Sequence, residues 1–206
     1  MNLFPANVSL RPLLLLLAIS LVGTLTGCFQ APPASQYTLT TELPLPPPSN
    51  QDAPLTVLVG PVKLASYLDQ PRIVKRFGAN RIETVASRQW AGNLREMISN
   101  KLVAELGTLC HPSPVFPFPA ATIPHQGKRV TIDILRFEGT DDQHVAIEAR
   151  WTLLNMENKS ILKTQVSLFQ IPCADPSYET LATTLSLGLT RLSQEISQSI
   201  IQAENK

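Results

Sequence analysis

Apolar residues recur at every second position over 143–154, which is the two-residue period of a strand with one buried face. The shorter apolar runs at 55–59, 128–138 and 162–168 predict further strands. Two strands at 72–76 and 80–85 flank a turn and predict a hairpin. Two short segments are candidate edge strands, at 37–40 and 115–118. Gly60 and Pro61 predict a break or a bulge in the strand that begins at 55.

Two segments show a spacing of three or four residues between apolar positions, which predicts amphipathic helices. The first covers 88–106, with Ser87 as its cap and Gly107 at its end. The second follows Asp175, a good N-cap, and Pro176, which suits the first helical position. Its apolar face carries Tyr178, Leu181, Leu185, Leu189, Leu192, Ile196 and Ile200.

The elements follow the order strands, helix, strands, helix, which predicts an α+β domain over 55–206. We expect a mostly antiparallel mixed sheet with two amphipathic helices packed on one face. The other face would then be open to solvent or to a partner. A proline-rich tether over 28–54 precedes this domain, with seven prolines and no basic residue between 29 and 54. Proline fixes φ, so the tether should be extended and hold the domain away from a membrane surface.

The composition is that of a globular protein. The chain has 206 residues, of which 44% are hydrophobic and 16% charged, so intrinsic disorder is excluded as its overall state. The formal net charge is only +1, so no global field points to nucleic acid.

The amino terminus has the pattern of an export signal. Arg11 precedes the apolar stretch 13–22, which is shorter than a spanning helix requires. The sequence LTGC at 25–28 resembles the bacterial lipobox, which implies a signal peptide over 1–27 and acylation of Cys28. The alternative is an uncleaved anchor helix. Phe29 follows the cysteine where an Asp would favour inner-membrane retention, so the resemblance implies an outer-membrane lipid anchor on a domain that faces the periplasm.

No catalytic or metal-binding motif stands out. The three histidines have no second ligand at a helical or strand spacing, and no nucleotide-binding or nucleophile-elbow motif occurs. We therefore expect neither an enzyme nor a cofactor.

Cys110 and Cys173 are the two thiols that remain after lipidation. Each lies at the end of a regular element beside a proline-bearing segment. In an oxidising compartment such a pair is a candidate disulfide, and the alternative is two buried free thiols that never meet.

The segment 63–101 holds eight basic and three acidic residues. It is either a solvated surface or a docking patch for an acidic partner or anionic lipid. We hypothesise that Tyr67, Leu68, Arg72 and Arg76 form part of a partner surface, because aromatic residues beside arginines are common at interfaces. In the alternative, Tyr67 and Leu68 close the edge of the core.

Several short runs are similar to the ABC-type transport auxiliary lipoproteins of the PqiC type. These runs are YTL (37–39), VGPVKL (59–64), YLDQP (67–71), IVKR (73–76), NRI (80–82) and WAGNL (90–94). Beyond about residue 106, only the layout of strands and helix agrees.

The resemblance implies a non-enzymatic subunit of an intermembrane lipid transport system. Its partner would be an inner-membrane protein with MCE domains (PqiB-like), together with that protein's membrane partners. The lipoprotein would dock or receive the end of the MCE tube, and a homo-oligomeric ring would match the tube's symmetry. Two alternatives stay open, an assembly lipoprotein without lipid contact and a periplasmic enzyme.

Overall fold

A single mixed sheet with two helices forms the domain. The computed structural model describes residues 33–41, 43–44, 55–120 and 126–204. The signal peptide, Cys28 and most of the expected tether lie outside these residues. In chain order the elements are β1 (Ser35–Tyr37), β2 (Val57–Leu64), a short 3-10 helix (Ser66–Leu68), β3 (Arg72–Phe77), β4 (Arg81–Trp90), α1 (Leu94–Leu109), β5 (Val115–Pro117), β6 (Lys128–Thr140), β7 (His144–Asn155), β8 (Ile161–Pro172) and α2 (Tyr178–Glu204).

Strand β6 is the centre of the eight-stranded sheet. On one side it begins the antiparallel meander β6–β7–β8. On the other side two strands follow each other along its length, both parallel to it. β2 pairs with its first half and β3 pairs with residues Gly139 and Thr140. β5 extends the arm of β2, while β4 and then β1 extend the arm of β3. The predicted α+β fold is confirmed, and its longest pairings are antiparallel.

Both helices pack on one face of this sheet, as the sequence predicts. The apolar stripe of α1 is buried, and so is that of α2 from Leu181 to Ile200. Gly188 brings the backbone of α2 close to β7, because a Cβ atom there would lie 2.1 Å from Cδ1 of Ile147. The helices and the inner faces of β2, β6 and β7 thus share one core.

The start of the first helix differs from the prediction. Residues 88–90 belong to β4, and α1 begins only at Leu94, with Asn93 as its N-cap. Trp90 packs its ring 6.0 Å from that of Phe137, centroid to centroid, as a strand residue. The four-residue interval between Trp90 and Leu94 therefore joins two different elements. Gly107 lies inside the helix rather than at its end.

The second helix begins two residues later than predicted. Ser177, not Asp175, is the capping residue, since its Oγ accepts a hydrogen bond from the Thr180 amide at 3.1 Å. The Asp175 carboxylate supports the cap by accepting bonds from the Ser177 amide and the Thr180 hydroxyl.

Part of the segment expected to be tether lies on the domain. The candidate edge strand at 37–40 forms slightly earlier, as β1, and pairs in parallel with the end of β4. The carbonyl of Tyr37 accepts a bond from the Ala91 amide at 2.8 Å. Beyond β1, the Thr40 amide donates to Ser186 Oγ on α2 at 3.1 Å. The chain is thus fixed to the sheet and the helices well before residue 55.

The predicted Cys110–Cys173 disulfide is wrong, because both thiols are free. Cys110 lies near Lys128 and Glu204, at the carboxyl end of α2. Cys173 lies at the other end, beside Gln143 and the start of that helix. A helix of 27 residues is about 40 Å long, far beyond the span of a disulfide.

A buried ion pair joins the two helices. Lys101 Nζ donates to Glu105 Oε1 at 2.6 Å, and both side chains are almost fully buried. From α2, Thr190 and Ser193 donate hydroxyl bonds to the same carboxylate at 2.6 and 2.8 Å. Lys101 also donates to the carbonyl of Thr40, so the pair holds the N-terminal segment against both helices.

We predict that Glu105→Ala lowers the free energy of unfolding by about 3–5 kcal/mol, because it leaves the Lys101 ammonium buried without its counter-ion. Asp69→Ala is the matched control. It breaks the Asp69–Arg95 pair, whose side chains are each more than 40% exposed, and should cost no more than about 1 kcal/mol. Urea unfolding of the two variants makes the comparison, and equal losses would contradict the prediction.

Candidate partner-docking surface

The end-to-end arrangement of β2 and β3 leaves a gap on one side of β6. Between Ile134 and Gly139, β6 has no strand partner on that side. The 3-10 helix Ser66–Leu68 and the residue before it fill the gap. The Ala65 amide donates to the carbonyl of Ile134 at 2.9 Å, and the Tyr67 hydroxyl donates to that of Leu135 at 3.1 Å. Two of the candidate partner residues, Tyr67 and Leu68, therefore lie beside the part of β6 that has no strand partner on this side.

Leu68 is not a surface residue, and its place in the proposed partner surface is wrong. Its side chain is 0% exposed and belongs to the main core. The alternative interpretation holds for this residue, because Leu68 closes the core where the strand is missing.

Tyr67 and Arg76 meet at a buried carboxylate. The Tyr67 hydroxyl donates to Glu138 Oε2 at 2.7 Å. Arg76 Nε donates to Oε1 at 2.5 Å, and its Nη2 donates to Oε2 at 3.3 Å. Arg136 Nε adds a bond to Oε1 at 3.0 Å. Two guanidinium groups and one hydroxyl thus surround the Glu138 carboxylate, which is fully buried.

The pKa values follow from this arrangement. Burial raises the pKa of Tyr67 to about 12, and its bond to the Glu138 carboxylate adds to the rise. Burial alone would raise the pKa of Glu138. The bonds from Arg76, Tyr67 and Arg136 outweigh it and hold that pKa below its ordinary value. Glu138 is therefore ionised at neutral pH, and the cluster stabilises the fold.

Of the four predicted partner residues, Arg72 alone lies fully at the surface. It is the first residue of β3 and is exposed. Within the described part of the chain, its side chain forms no hydrogen bond or ion pair. It follows an exposed loop whose Asp69, Gln70 and Pro71 line a shallow groove with Gly92 and Asn93. This loop and Arg72 are the part of the candidate surface that is open to a partner.

The basic segment 63–101 is not one continuous patch. Four of its basic residues form ion pairs with acidic side chains: Arg76 with Glu138, Arg81 with Glu83, Arg95 with Asp69 and Lys101 with Glu105. Lys75 and Arg88 lie over the ring of Tyr178. Most of the basic side chains of this segment thus contact acidic or aromatic side chains of the same domain.

Sequence reasoning missed an apolar row on the outer face of the sheet. Leu162, Val166 and Leu168 on β8 are each 40% exposed or more, and Ile161 is 66% exposed. Among the described strands, β8 pairs with β7 alone, so its other edge is open. The alternation of apolar residues along β8 predicts this row. Only the three-dimensional structure shows that neither described helix covers it.

Two further observations concern other kinds of site. Over the described ranges, His, Cys, Asp and Glu side chains form no group of three or more that would hold a metal ion. Neither described helix is both long and apolar enough to span a membrane.

Comparison with protein families covers nearly the whole domain. Residues 37–197 match the ABC-type transport auxiliary lipoprotein component family. The chain belongs to this family. It is thus an auxiliary lipoprotein of ABC-type transport, and the predicted family is confirmed. No curated protein matches the sequence significantly.

Solved structures show the same fold at low sequence identity. An uncharacterized protein shares 19% identity and a TM-score of 0.69, over 82% of this chain and 99% of its own. A DUF330 protein from Xanthomonas campestris shares 18% identity and a TM-score of 0.65, over 84% of this chain and 100% of its own. At these identities the likeness shows the fold alone.

We predict that Glu138→Gln lowers the free energy of unfolding by about 2–3 kcal/mol at pH 7, because it removes the charge that three donors face. Because folding lowers the pKa of Glu138, its contribution is full above its ordinary pKa of about 4.5 and is lost as the pH falls further. The difference between wild type and variant should therefore shrink towards pH 3 in urea unfolding.

Glu157→Gln makes the same chemical change on the exposed turn after β7. This control should unfold with the wild-type dependence on pH. Parallel pH profiles for wild type and Glu138→Gln would contradict the assigned role of the buried carboxylate.

Proposed function

We propose that this auxiliary lipoprotein is anchored in the outer membrane through Cys28, faces the periplasm and serves an MCE-type intermembrane lipid transport system. The observation that carries the proposal is the family match over 37–197, which covers every strand from β2 to β8 and most of α2. An auxiliary component of an ABC-type system acts through partners, so it needs neither a catalytic group nor a cofactor of its own.

The sequence around the cysteine supports the anchor and its membrane. LTGC at 25–28 follows the apolar stretch 13–22 and supplies the thiol for acylation. Two or three acyl chains hold a protein stably in a bilayer. Phe29 in place of an Asp favours transfer to the outer membrane.

The partner we propose is an inner-membrane MCE-domain protein (PqiB-like) with its own membrane partners. Its docking surface on this chain is the exposed loop 69–72 together with 91–93. Arg72 offers a guanidinium to an acidic partner side chain there. Tyr67 and Arg76 both bond to the buried Glu138 carboxylate, and these bonds fix the chain on either side of the loop 69–72.

A homo-oligomeric ring is the assembly we propose for docking a symmetric tube. Strand β8 runs for twelve residues at the edge of the sheet, with an exposed apolar row on its outer face. A long open edge of this kind favours pairing with another chain. Repeating one such contact around an axis closes a ring.

An assembly lipoprotein that never contacts lipid is the second candidate. The observation that favours it is the filled core, in which buried side chains of the sheet meet those of both helices. Phospholipid that copurifies with the protein would favour transport, and its absence would favour assembly.

We predict that full-length protein, extracted in a gentle detergent after crosslinking, brings down an MCE-domain protein with crosslinks from 69–72. Arg72→Glu should lower this recovery at least tenfold without lowering thermal stability, since its side chain is exposed and unpaired within the described residues. Mass spectrometry of the captured proteins and lipids makes the measurement.

Lys159→Glu is the matched control, because it makes the same charge reversal on the exposed β7–β8 turn. It should leave the recovery unchanged. Recovery of outer-membrane assembly factors alone would contradict the transport function, and equal recovery of the two variants would contradict the docking surface.

A further inference from the structure

The first described residues of the domain run from the edge of the sheet across both helices. We call the described residues of 35–44 the N-terminal strap. It begins as β1 on β4. The Thr40 amide then donates to Ser186 Oγ on α2 at 3.1 Å, and the Thr40 carbonyl accepts a bond from Lys101 on α1. Farther on, the Thr108 hydroxyl donates to the carbonyl of the last strap residue at 3.0 Å. The strap thus reaches both helices through its backbone.

Few apolar contacts hold the strap. None of its described side chains is buried, and Tyr37 and Leu39 pack half-buried against the core. The Tyr37 ring lies 6.1 Å from that of Tyr178, centroid to centroid. Arg88 Nη1 adds polar bonds to Ser35 Oγ at 3.0 Å and to the Tyr37 hydroxyl oxygen at 3.1 Å. A segment with so few buried apolar groups opens at a lower free energy than the long strands and helices.

The surface beneath Thr40 is polar. There the buried ammonium of Lys101 donates to the Thr40 carbonyl, to Glu105 and to Thr190. If the strap detaches, the ammonium keeps its bonds to Glu105 and Thr190, and water can replace the Thr40 carbonyl. An apolar seam would be costly to uncover, because the hydrophobic free energy grows with the area brought into water. Detachment therefore leaves no buried charge without a partner at this seam.

The strap is also bonded to the proposed docking surface. The Ala91 amide donates to the carbonyl of Tyr37 at 2.8 Å, and the adjacent Trp90 amide donates to that of Pro71 at 2.8 Å. Two consecutive amides at the end of β4 thus bond to the strap and to the docking loop. The segment 91–93 is the other half of the docking surface, so detachment of the strap removes one of the bonds that hold it.

We propose that the N-terminal strap is a releasable latch on the docking surface. While the strap is closed, as in this structure, it holds the segment 91–93 in the geometry that docks the partner. When it is released, Ala91 loses its backbone bond and docking weakens. Because the closed strap favours docking, docking favours the closed strap by the same factor. The latch rests on the proposed docking surface, but its release needs no partner.

The first test measures release in the full-length protein alone. Ser186→Ala removes the oxygen that accepts the Thr40 amide bond. Hydrogen–deuterium exchange, resolved to single residues by mass spectrometry, then follows the Ala91 amide, whose own acceptor is unchanged. We predict that Ala91 exchanges roughly two- to tenfold faster in the variant, the factor for loss of one hydrogen bond, because the strap detaches as a unit. The Trp90 amide should keep its wild-type rate.

Ser197→Ala is the matched control. Ser197 lies on the same helix as Ser186, is 4% exposed like it, and also donates to a carbonyl of its own helix. It has no hydrogen bond to a described strap residue, so its substitution should leave exchange at Ala91 unchanged. Faster exchange at Thr40 alone in Ser186→Ala, with Ala91 unchanged, would overturn the latch.

The second test measures the coupling to docking. Saturation with the MCE-domain protein recovered from membranes should slow exchange at Thr40 roughly threefold or more, although Thr40 bonds to the helices and not to the docking segments. A variant with residues 35–40 replaced by alternating Gly and Ser keeps the strap released. It should lower recovery of that partner by the same factor, while its β6 amides exchange as in the wild type.

The latch and the proposed function fail in different ways. If the wild-type protein captures no MCE-domain protein, the proposed function is overturned, and exchange at Ala91 still decides whether the strap is released as a unit. If the partner docks while exchange at Thr40 and recovery with the Gly/Ser variant stay unchanged, the latch alone is overturned.

Discussion

The fold depends on how β6 forms its hydrogen bonds along the stretch that has no strand partner on one side. β2 and β3 share one side of this strand, so several of its backbone groups lack a strand partner there. An unpaired backbone group buried in a core costs about as much as a lost hydrogen bond. The Ala65 amide and the Tyr67 hydroxyl donate to the carbonyls of Ile134 and Leu135 there, and the same turn brings Tyr67 to Glu138 and Leu68 into the core. One gap thus explains why a sequence that resembles an exposed interface is partly interior.

The charge of a sequence segment is likewise a poor guide to the charge of the surface, because residues distant in sequence pair with some of its basic side chains. The segment 63–101 is strongly basic, yet its arginines differ completely in what they contact. Arg76 faces a buried carboxylate from β6, a strand more than sixty residues later in the chain. Arg72, only four residues earlier, faces solvent. No local pattern separates the two, because the partner of Arg76 comes from a strand crossover.

Sequence periodicity predicts best those elements in which the spacing of apolar residues is regular over many residues. β6, β7 and α2 are long, and their apolar positions alternate or recur over many residues, so their bounds are found within a few residues. Short elements and pairings are different. Trp90 continues the spacing of α1 yet ends β4, where it pairs with Tyr37 and its ring packs against that of Phe137. The thiols of Cys110 and Cys173 are similar in sequence context, and only the length of α2 shows that they lie at opposite ends of the domain.

The parallel pairing of β1 with β4 connects the fold to the proposed function. A domain joined to a lipid anchor by a long flexible tether could take any orientation relative to the bilayer. Here the first strand belongs to the same sheet as β6 and pairs with β4, and Thr40 just beyond it is bonded to α1 and α2. Residues 35–40 are therefore fixed relative to the sheet and both helices, and not free as the prediction of a tether up to residue 54 would require.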